Sequence, residues 1–253
     1  MVRIKTKEDI KKLREGGKRH AEILRKVSEM VAPGVTTKEL DEYAHKLVLE
    51  GGDKPAFLDY TPEGVSYPYP ASLCVSVNDE VVHGIPSDFV LEEGDIVSLD
   101  LGLLHKGMIT DAAITVPCGK ISKEAEKLIN ITRESLSIAI KQVKPGNKTG
   151  DIGNAIEQFV KPHGFGIVKI LAGHGVGYSV HEDPYIPNYG KAGTGENLVP
   201  GMVIAIEPML NLGTDEVFVT EDEYTYITAD EKLSAHFEHT VLVTEDGCEV
   251  LTK

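Results

Sequence analysis

The sequence predicts a mixed α/β (α+β) fold made of two copies of one unit, each with two helices followed by strands that bear carboxylates. Three repeated patterns carry that prediction. Val31-x-Pro33-Gly34-x-x-Thr37-x-Glu39-Leu40 recurs as Val143-x-Pro145-Gly146-x-x-Thr149-x-Asp151-Ile152. Leu91-x-x-Gly94-x-x-Val97-x-Leu99-Asp100 recurs as Leu198-x-x-Gly201-x-x-Ile204-x-Ile206-Glu207. Thr110-Asp111-x-x-Ile114-x-Val116 is echoed by Phe237-Glu238-x-x-Val241-x-Val243. One short degenerate match can arise by chance, but three in the same order point to duplication. The two halves, roughly residues 1–118 and 119–253, are expected to form one domain about a pseudo-two-fold axis. The carboxylate strands would then meet between them.

Each element has its own local signal. Thr6 caps a first helix with Ile10, Leu13, Leu24 and Val27 near one face, ending before Pro33-Gly34. Thr37 caps a second helix carrying Leu40, Tyr43, Ala44, Leu47 and Val48, which Gly51-Gly52 stops. Residues 53–70 are rich in Pro, Gly and Tyr and read as loop. Short strands follow near Leu73–Val77 and Glu80–His83. The stretch from Gly94 to Val116 reads as an antiparallel hairpin, with alternating Val97, Leu99, Leu101 and Ile109, Ile114, Val116 around a turn near Gly107. A loop at His105-Lys106 would set Asp100 directly opposite Asp111. Ser122 caps a third helix and Thr149 a fourth. Strands rich in Val, Ile and Thr fill most of the remainder, with loop from Asn188 to Asn197.

Composition narrows the class. The 253 residues are 41% hydrophobic and 26% charged, ordinary for a globular protein that can bury a sizeable core. No apolar run is long enough to span a membrane, and the N-terminus lacks the apolar core of a signal peptide. Cys74, Cys118 and Cys248 are too few and scattered for a disulfide framework, so a cytoplasmic location is expected. A net charge of −14 disfavours nucleic acid and anionic membranes as partners.

The chemistry lies where the repeat concentrates charge. Duplication brings Asp100, Asp111, Glu207 and Glu238 towards one place. Four carboxylates in an apolar sheet cannot all remain ionised without cations. One divalent ion leaves excess negative charge, whereas two neutralise the set and can share bridging carboxylates. For the hairpin alone, solvation of both aspartates at a sheet edge is the competing reading. A histidine is the usual companion ligand, and three are candidates: His174 in Gly173-His174-Gly175-Val176-Gly177, His181 in Val180-His181-Glu182-Asp183-Pro184, and His83 in Val82-His83-Gly84-Ile85-Pro86. The other histidines read as surface or satisfied core residues, His236 and His239 remaining open because they flank Glu238. The glycine-rich stretch lacks the Gly-Lys-Ser/Thr ending of a phosphate loop. Asp79-Glu80, Glu92-Glu93 and Glu221-Asp222-Glu223 read as solvated acidic patches.

Four stretches resemble a known family across essentially the whole chain. These are Asn78-x-x-Val81-x-His83-Gly84-Ile85-Pro86, Gly173-His174-Gly175-Val176-Gly177-x-x-x-His181-Glu182-x-Pro184, Ile206-Glu207-Pro208 and Phe237-Glu238-His239-Thr240. They resemble the type I methionine aminopeptidases, a family with the internally duplicated pita-bread fold, an antiparallel sheet covered by helices. The resemblance implies removal of the initiator methionine ahead of a small second residue, by peptide hydrolysis with two divalent metal ions. It makes Asp100, Asp111, His174, Glu207 and Glu238 the ligands, with Asp111 and Glu238 shared between the metals. Glu207 would also be the general base. His181 would stabilise the tetrahedral intermediate, and His83 would assist at the substrate's N-terminus. Tyr69, Cys74, His83, Val180 and Tyr224 would wall the methionine pocket. Mn, Fe, Co or Zn suits one imidazole with four carboxylates. The implied partners are the N-termini of nascent polypeptides, with a transient ribosome contact, and the implied state is a monomer. The short spacing between Glu207 and Glu238 leaves no room for the type II insertion. Three departures mark this chain: Phe57 stands for a common cysteine, Tyr224 for a common tryptophan, and the 59–70 loop is longer than usual. The rivals are a proline-specific aminopeptidase or prolidase of the same fold, which usually carries an extra N-terminal domain, and a non-catalytic peptide-binding relative.

Overall fold

In the computed structural model, which describes residues 2–62 and 64–253, both halves open with a pair of helices, as the repeat predicts. The first half has α1 (Lys7–Ser28) and α2 (Thr37–Glu50), and the second has α3 (Lys123–Ile140) and α4 (Thr149–Val160). Thr6 and Ser122 cap α1 and α3 as expected. The other two caps sit one residue earlier than the sequence reading. Thr36, not Thr37, caps α2, because its hydroxyl accepts from the Glu39 amide while the Glu39 carboxylate accepts from the Thr36 amide. The equivalent position in α4 is Lys148, not Thr149. Its side chain cannot accept, so only the return bond survives, from the Lys148 amide to Asp151 at 2.7 Å.

The strands follow in chain order. The first half holds β1 (Lys54–Pro55), β2 (Leu73–Val77), β3 (Glu80–Val82), β4 (Ile96–His105) and β5 (Met108–Pro117). The second holds β6 (Gly166–Ile167), β7 (Gly173–Gly175), β8 (Glu182–Ile186), β9 (Val203–Ile206), β10 (Met209–Asn211), β11 (Val217–Val219), β12 (Tyr226–Thr228), β13 (Ser234–His236), β14 (His239–Val243) and β15 (Cys248–Val250). All pairings are antiparallel. One edge of β4 pairs with β5, and the other is shared by β2 and β1. The second half's main sheet runs β15-β14-β9-β7-β8.

The β4–β5 hairpin differs from the sequence reading in register. Its turn residues are Lys106 and Gly107, at φ 48° and 83°. A two-residue turn with both φ values positive matches strand twist, and glycine suits it without strain. His105 therefore faces Met108, Asp100 faces Ala113 and Asp111 faces Gly102. The slip is two residues, so both aspartates stay on one face, now diagonal rather than opposite.

Duplication is visible in individual bonds. The Leu91 amide donates to Val35 at 2.8 Å, and the repeat-related Leu198 amide donates to Asn147 at 2.8 Å. The bridge Thr36–Val90 has its counterpart in Lys148–Asn197. Each half buries its own core. One gathers Ile23, Val27, Leu40, Val48, Leu73 and Leu99. The other gathers Leu128, Leu136, Ile152, Ile156, Ile204 and Val241. The halves join where β5 meets β14: Ala113 and Glu238 exchange both backbone hydrogen bonds, at 3.4 and 2.9 Å. Thr240 Oγ1 closes the seam, accepting from the Asp111 amide and donating to the Asp111 carbonyl.

The N-terminal segment clamps the loop that follows β7. Lys5 donates to Glu182 at 2.6 Å, with side chains only 1% and 4% exposed. The other Glu182 oxygen accepts from the Tyr178 and Ser179 amides, and the Tyr178 hydroxyl donates to Asp9. A buried pair adds little net stability, but removing one partner strands a buried charge. Lys5→Ala is expected to lower unfolding stability by about 3 kcal/mol in urea titrations, whereas alanine at the exposed pair partner Arg25 should cost under about 0.5 kcal/mol.

Candidate metal centre

Every residue that the family resemblance assigns to the site lines one cavity of ≈ 90 Å³ between the halves. Its floor holds Asp100, Asp111, His174, Glu207 and Glu238, and its walls include Phe57, Tyr69, Cys74, Val180 and Tyr224. His83 and His181 also reach it, joined by Tyr60 and Pro62, which the sequence reading did not select.

Local structure explains how each donor arrives. Asp100 comes from β4, Asp111 from β5, and Glu238 from the link between β13 and β14. Glu207 stands just past β9, its carbonyl accepting from Asn188 Nδ2. His174 is the middle residue of β7. A Cβ at Gly173 would lie 2.3 Å from the Ala205 carbonyl oxygen, and one at Gly175 would lie 2.1 Å from that of Asp183. Only glycine lets β9 and the start of β8 close on both sides of His174. His83 has φ 61°, a strained left-handed conformation for a non-glycine residue. Tyr69 braces the adjoining Gly84 carbonyl with a 2.8 Å hydrogen bond.

The ligand atoms of Asp111, His174 and Glu238 all lie within 4.8 Å of one another. Glu207 Oε1 is 3.4 Å from His174 Nε2. One buried oxygen each of Asp100, Asp111 and Glu238 has no hydrogen-bond partner among the described residues. Burial raises the pKa of all four carboxylates, and mutual repulsion raises Asp111, Glu207 and Glu238 further. His174 is pushed by burial down to about 3, and His83 to about 4. His174 Nδ1 lies 2.9 Å from the Gly175 carbonyl, so the proton belongs on Nδ1 and Nε2 offers a bare lone pair. Orphaned carboxylate oxygens beside a neutral imidazole lone pair are what a divalent cation requires. The donor set fits a metal.

Some of the remaining charged groups behave differently from the sequence reading. Two of the supposed solvated patches are structural. Glu80 accepts from the Val77 amide, and burial raises it to about 7. Asp222 accepts from the Tyr224 and Thr225 amides, and Glu223 accepts from the Ser66 amide and hydroxyl. His236 is buried with both ring nitrogens unpartnered, Nε2 being 3.8 Å from Glu207. It faces the site, whereas His239 points to Thr252. His20, His45, His105 and His163 lie elsewhere, against Thr110, Ser72, Asp53 and Phe159 respectively.

A model of metallopeptidase family M24 matches residues 11–245. The chain belongs to this family. It is 46% identical over 252 residues to a methionine aminopeptidase of Clostridium perfringens, covering 100% of this chain and 99% of that one. A crystal structure of methionine aminopeptidase from Thermotoga maritima matches with a TM-score of 0.96 at 44% identity, covering 100% of both chains. The prolidase of Pyrococcus furiosus shares the fold at a TM-score of 0.79 and 26% identity, but only 65% of that chain is covered. The M24 chain thus has the pita-bread fold and is a metallo-aminopeptidase, and family membership implies use of divalent metal.

Charge repulsion at this M24 site predicts a pH effect. Without metal, the folded carboxylates have raised pKa values, so the fold binds more protons than the unfolded chain. Stability is therefore lost as pH rises from the unfolded values near about 4 towards the folded ones. Metal cancels that repulsion. The gain in Tm on saturating metal is expected to be larger at about pH 7 than at about pH 5, checked by calorimetry of metal-stripped and reloaded protein.

Proposed function

We propose that this chain removes the initiator methionine from new proteins when the second residue is small. The observation that carries the reading is that four carboxylates and the His174 imidazole line one small cavity together with apolar side chains. Asp100, Asp111, His174, Glu207 and Glu238 would hold two divalent ions, with Asp111 and Glu238 shared; Co, Mn, Fe and Zn all suit the donors. Bound divalent metal supplies Lewis acidity at neutral pH. Glu207 takes the proton from the attacking water and passes it to the leaving amine, a role open to a carboxylate that lines the cavity beside His174. His181 donates to the scissile carbonyl oxygen as negative charge develops there. His83 stands beside the substrate's N-terminus. Phe57, Tyr69, Cys74, Val180 and Tyr224 enclose the methionine side chain.

Residues 1–253 act in this reading as one catalytic domain of two halves, since donors come from both. The partners are N-termini of nascent polypeptides, met in the cytoplasm by a monomer in transient contact with the ribosome. Full coverage of the methionine aminopeptidases, against 65% of the prolidase, supports methionine excision over Xaa-Pro cleavage.

Two measurements test the reading. Glu207→Gln should abolish turnover while the circular dichroism spectrum stays native-like, because the fold rests on the two duplicated cores. Turnover at the wild-type rate, with metal content verified, would remove Glu207 from the mechanism. In kcat/KM assays, Met-Ala peptides should exceed Leu-Ala peptides by roughly 10–200-fold, the range open to an apolar pocket. Met-Lys and Xaa-Pro peptides should resist cleavage. Equal cleavage of Leu-Ala, or cleavage of Xaa-Pro alone, would overturn the methionine assignment.

A further inference from the structure

His174 and His181 are two imidazoles in edge-to-face contact, with ring centroids 4.5 Å apart and planes at 80°. Both line the same cavity, yet they need opposite tautomers. A metal ligand presents a bare ring nitrogen. A donor to a carbonyl oxygen presents an N–H. Which nitrogen carries the proton is set by the partner of the other nitrogen.

For His174 that partner is a carbonyl, Gly175 O, which can only accept. The proton is drawn to Nδ1, and Nε2 is left bare. For His181 the Nδ1 partner is a hydroxyl: Tyr60 Oη lies 3.0 Å away, with the two rings 5.6 Å apart. A phenol is a strong donor, and the Nδ1 lone pair of a neutral imidazole is the better acceptor of the two. Partial burial raises the Tyr60 pKa, so the phenol keeps its proton.

The geometry points to Tyr60 as a positioning residue that fixes His181 as the Nε2–H tautomer, making it a hydrogen-bond donor rather than a sixth metal ligand. This rests on the reading of His181 as the donor to the scissile carbonyl. Tyr60 is itself held in place. It lies at the start of the 59–70 loop, where the Tyr69 amide donates to the Tyr60 carbonyl and the Asp59 amide to the Tyr69 carbonyl. The same loop is tied across the cavity mouth to the 222–224 turn. Ser66 donates twice to Glu223, Tyr67 Oη donates to the Asp222 carbonyl, and Tyr224 Oη donates to the Tyr67 carbonyl. Tyr67 and Tyr69 both pack edge-on against Tyr224. The loop that shapes the methionine pocket therefore also sets the protonation of its catalytic histidine.

The test is Tyr60→Phe, which removes one hydroxyl and keeps the ring. Histidine-labelled protein, loaded with diamagnetic zinc and free of substrate, is read by long-range proton–nitrogen NMR spectra. His181 is assigned by its loss in His181→Gln. In the wild type His181 should show Nε2–H with bare Nδ1, and His174 the reverse. In Tyr60→Phe, His181 should become a tautomer mixture while His174 is unchanged. In parallel, kcat on a Met-Ala peptide should fall about tenfold or more with KM held within about twofold, as for loss of a group acting in the transition state. An unchanged His181 tautomer, an unchanged kcat, or a simultaneous change at His174 would each overturn the assignment to Tyr60. The tautomer is read without turnover, so it stands or falls separately from the wild-type assay that tests methionine excision.

Discussion

Four carboxylates with no lysine or arginine among their partners in the described residues, held at the seam of two duplicated halves, set the terms for the rest of the molecule. Asp100, Asp111 and Glu238 are each under a tenth exposed, and Glu207 is 13% exposed. Each would be costly alone, and together they repel. The fold carries this load because two apolar cores, one mainly in each half, stand behind the seam, and a third cluster draws on both halves. The seam itself is closed by backbone and hydroxyl bonds, Ala113 with Glu238 and Thr240 with Asp111, that do not depend on the carboxylates' ionisation. Rigid strands then hold the donors apart in a geometry that binding a cation relieves.

Around that centre, neighbouring groups divide the chemistry among residues of the same type. Three histidines line the cavity, but their surroundings differ. His174 is pinned by the carbonyl next to it and by glycines that admit adjacent strands. His83 is held in a left-handed conformation beside the Tyr226 ring. His181 stands at the mouth against Tyr60, on a segment anchored from beneath by the Lys5–Glu182 pair. A flat list of histidines conveys none of this, because the assignment depends on what each Nδ1 or ring face touches.

The acidic surface runs also acquire roles through contact. Glu223 and Asp222 tie the 59–70 loop to the turn carrying Tyr224, which is why that polar, Tyr-rich loop stands as a pocket wall. Glu80 and Asp222 accept backbone amides in turns, satisfying donors that would otherwise be buried without partners.

The sequence by itself determined the duplicated architecture, the helix pairs and the four carboxylates that the repeat brings together, whereas His174 was set apart from His83 and His181 only by a family resemblance. Those features are written as local periodicity and as repeated spacing, which survive without knowledge of distant contacts. Its errors were small where local signals compete. Thr36 and Thr37 are adjacent capping residues, and only the Glu39 bond chooses between them. The hairpin loop could turn one residue earlier or later, and positive φ at Lys106 and Gly107 decides it. Tertiary structure alone decided that Tyr60 meets His181, that Lys5 meets Glu182 and that His236 faces Glu207. These pairs are far apart in sequence and belong to no periodic pattern. The physical reason is that a side chain's partner across a seam depends on how whole strands and loops pack, and no spacing along the chain encodes that distance.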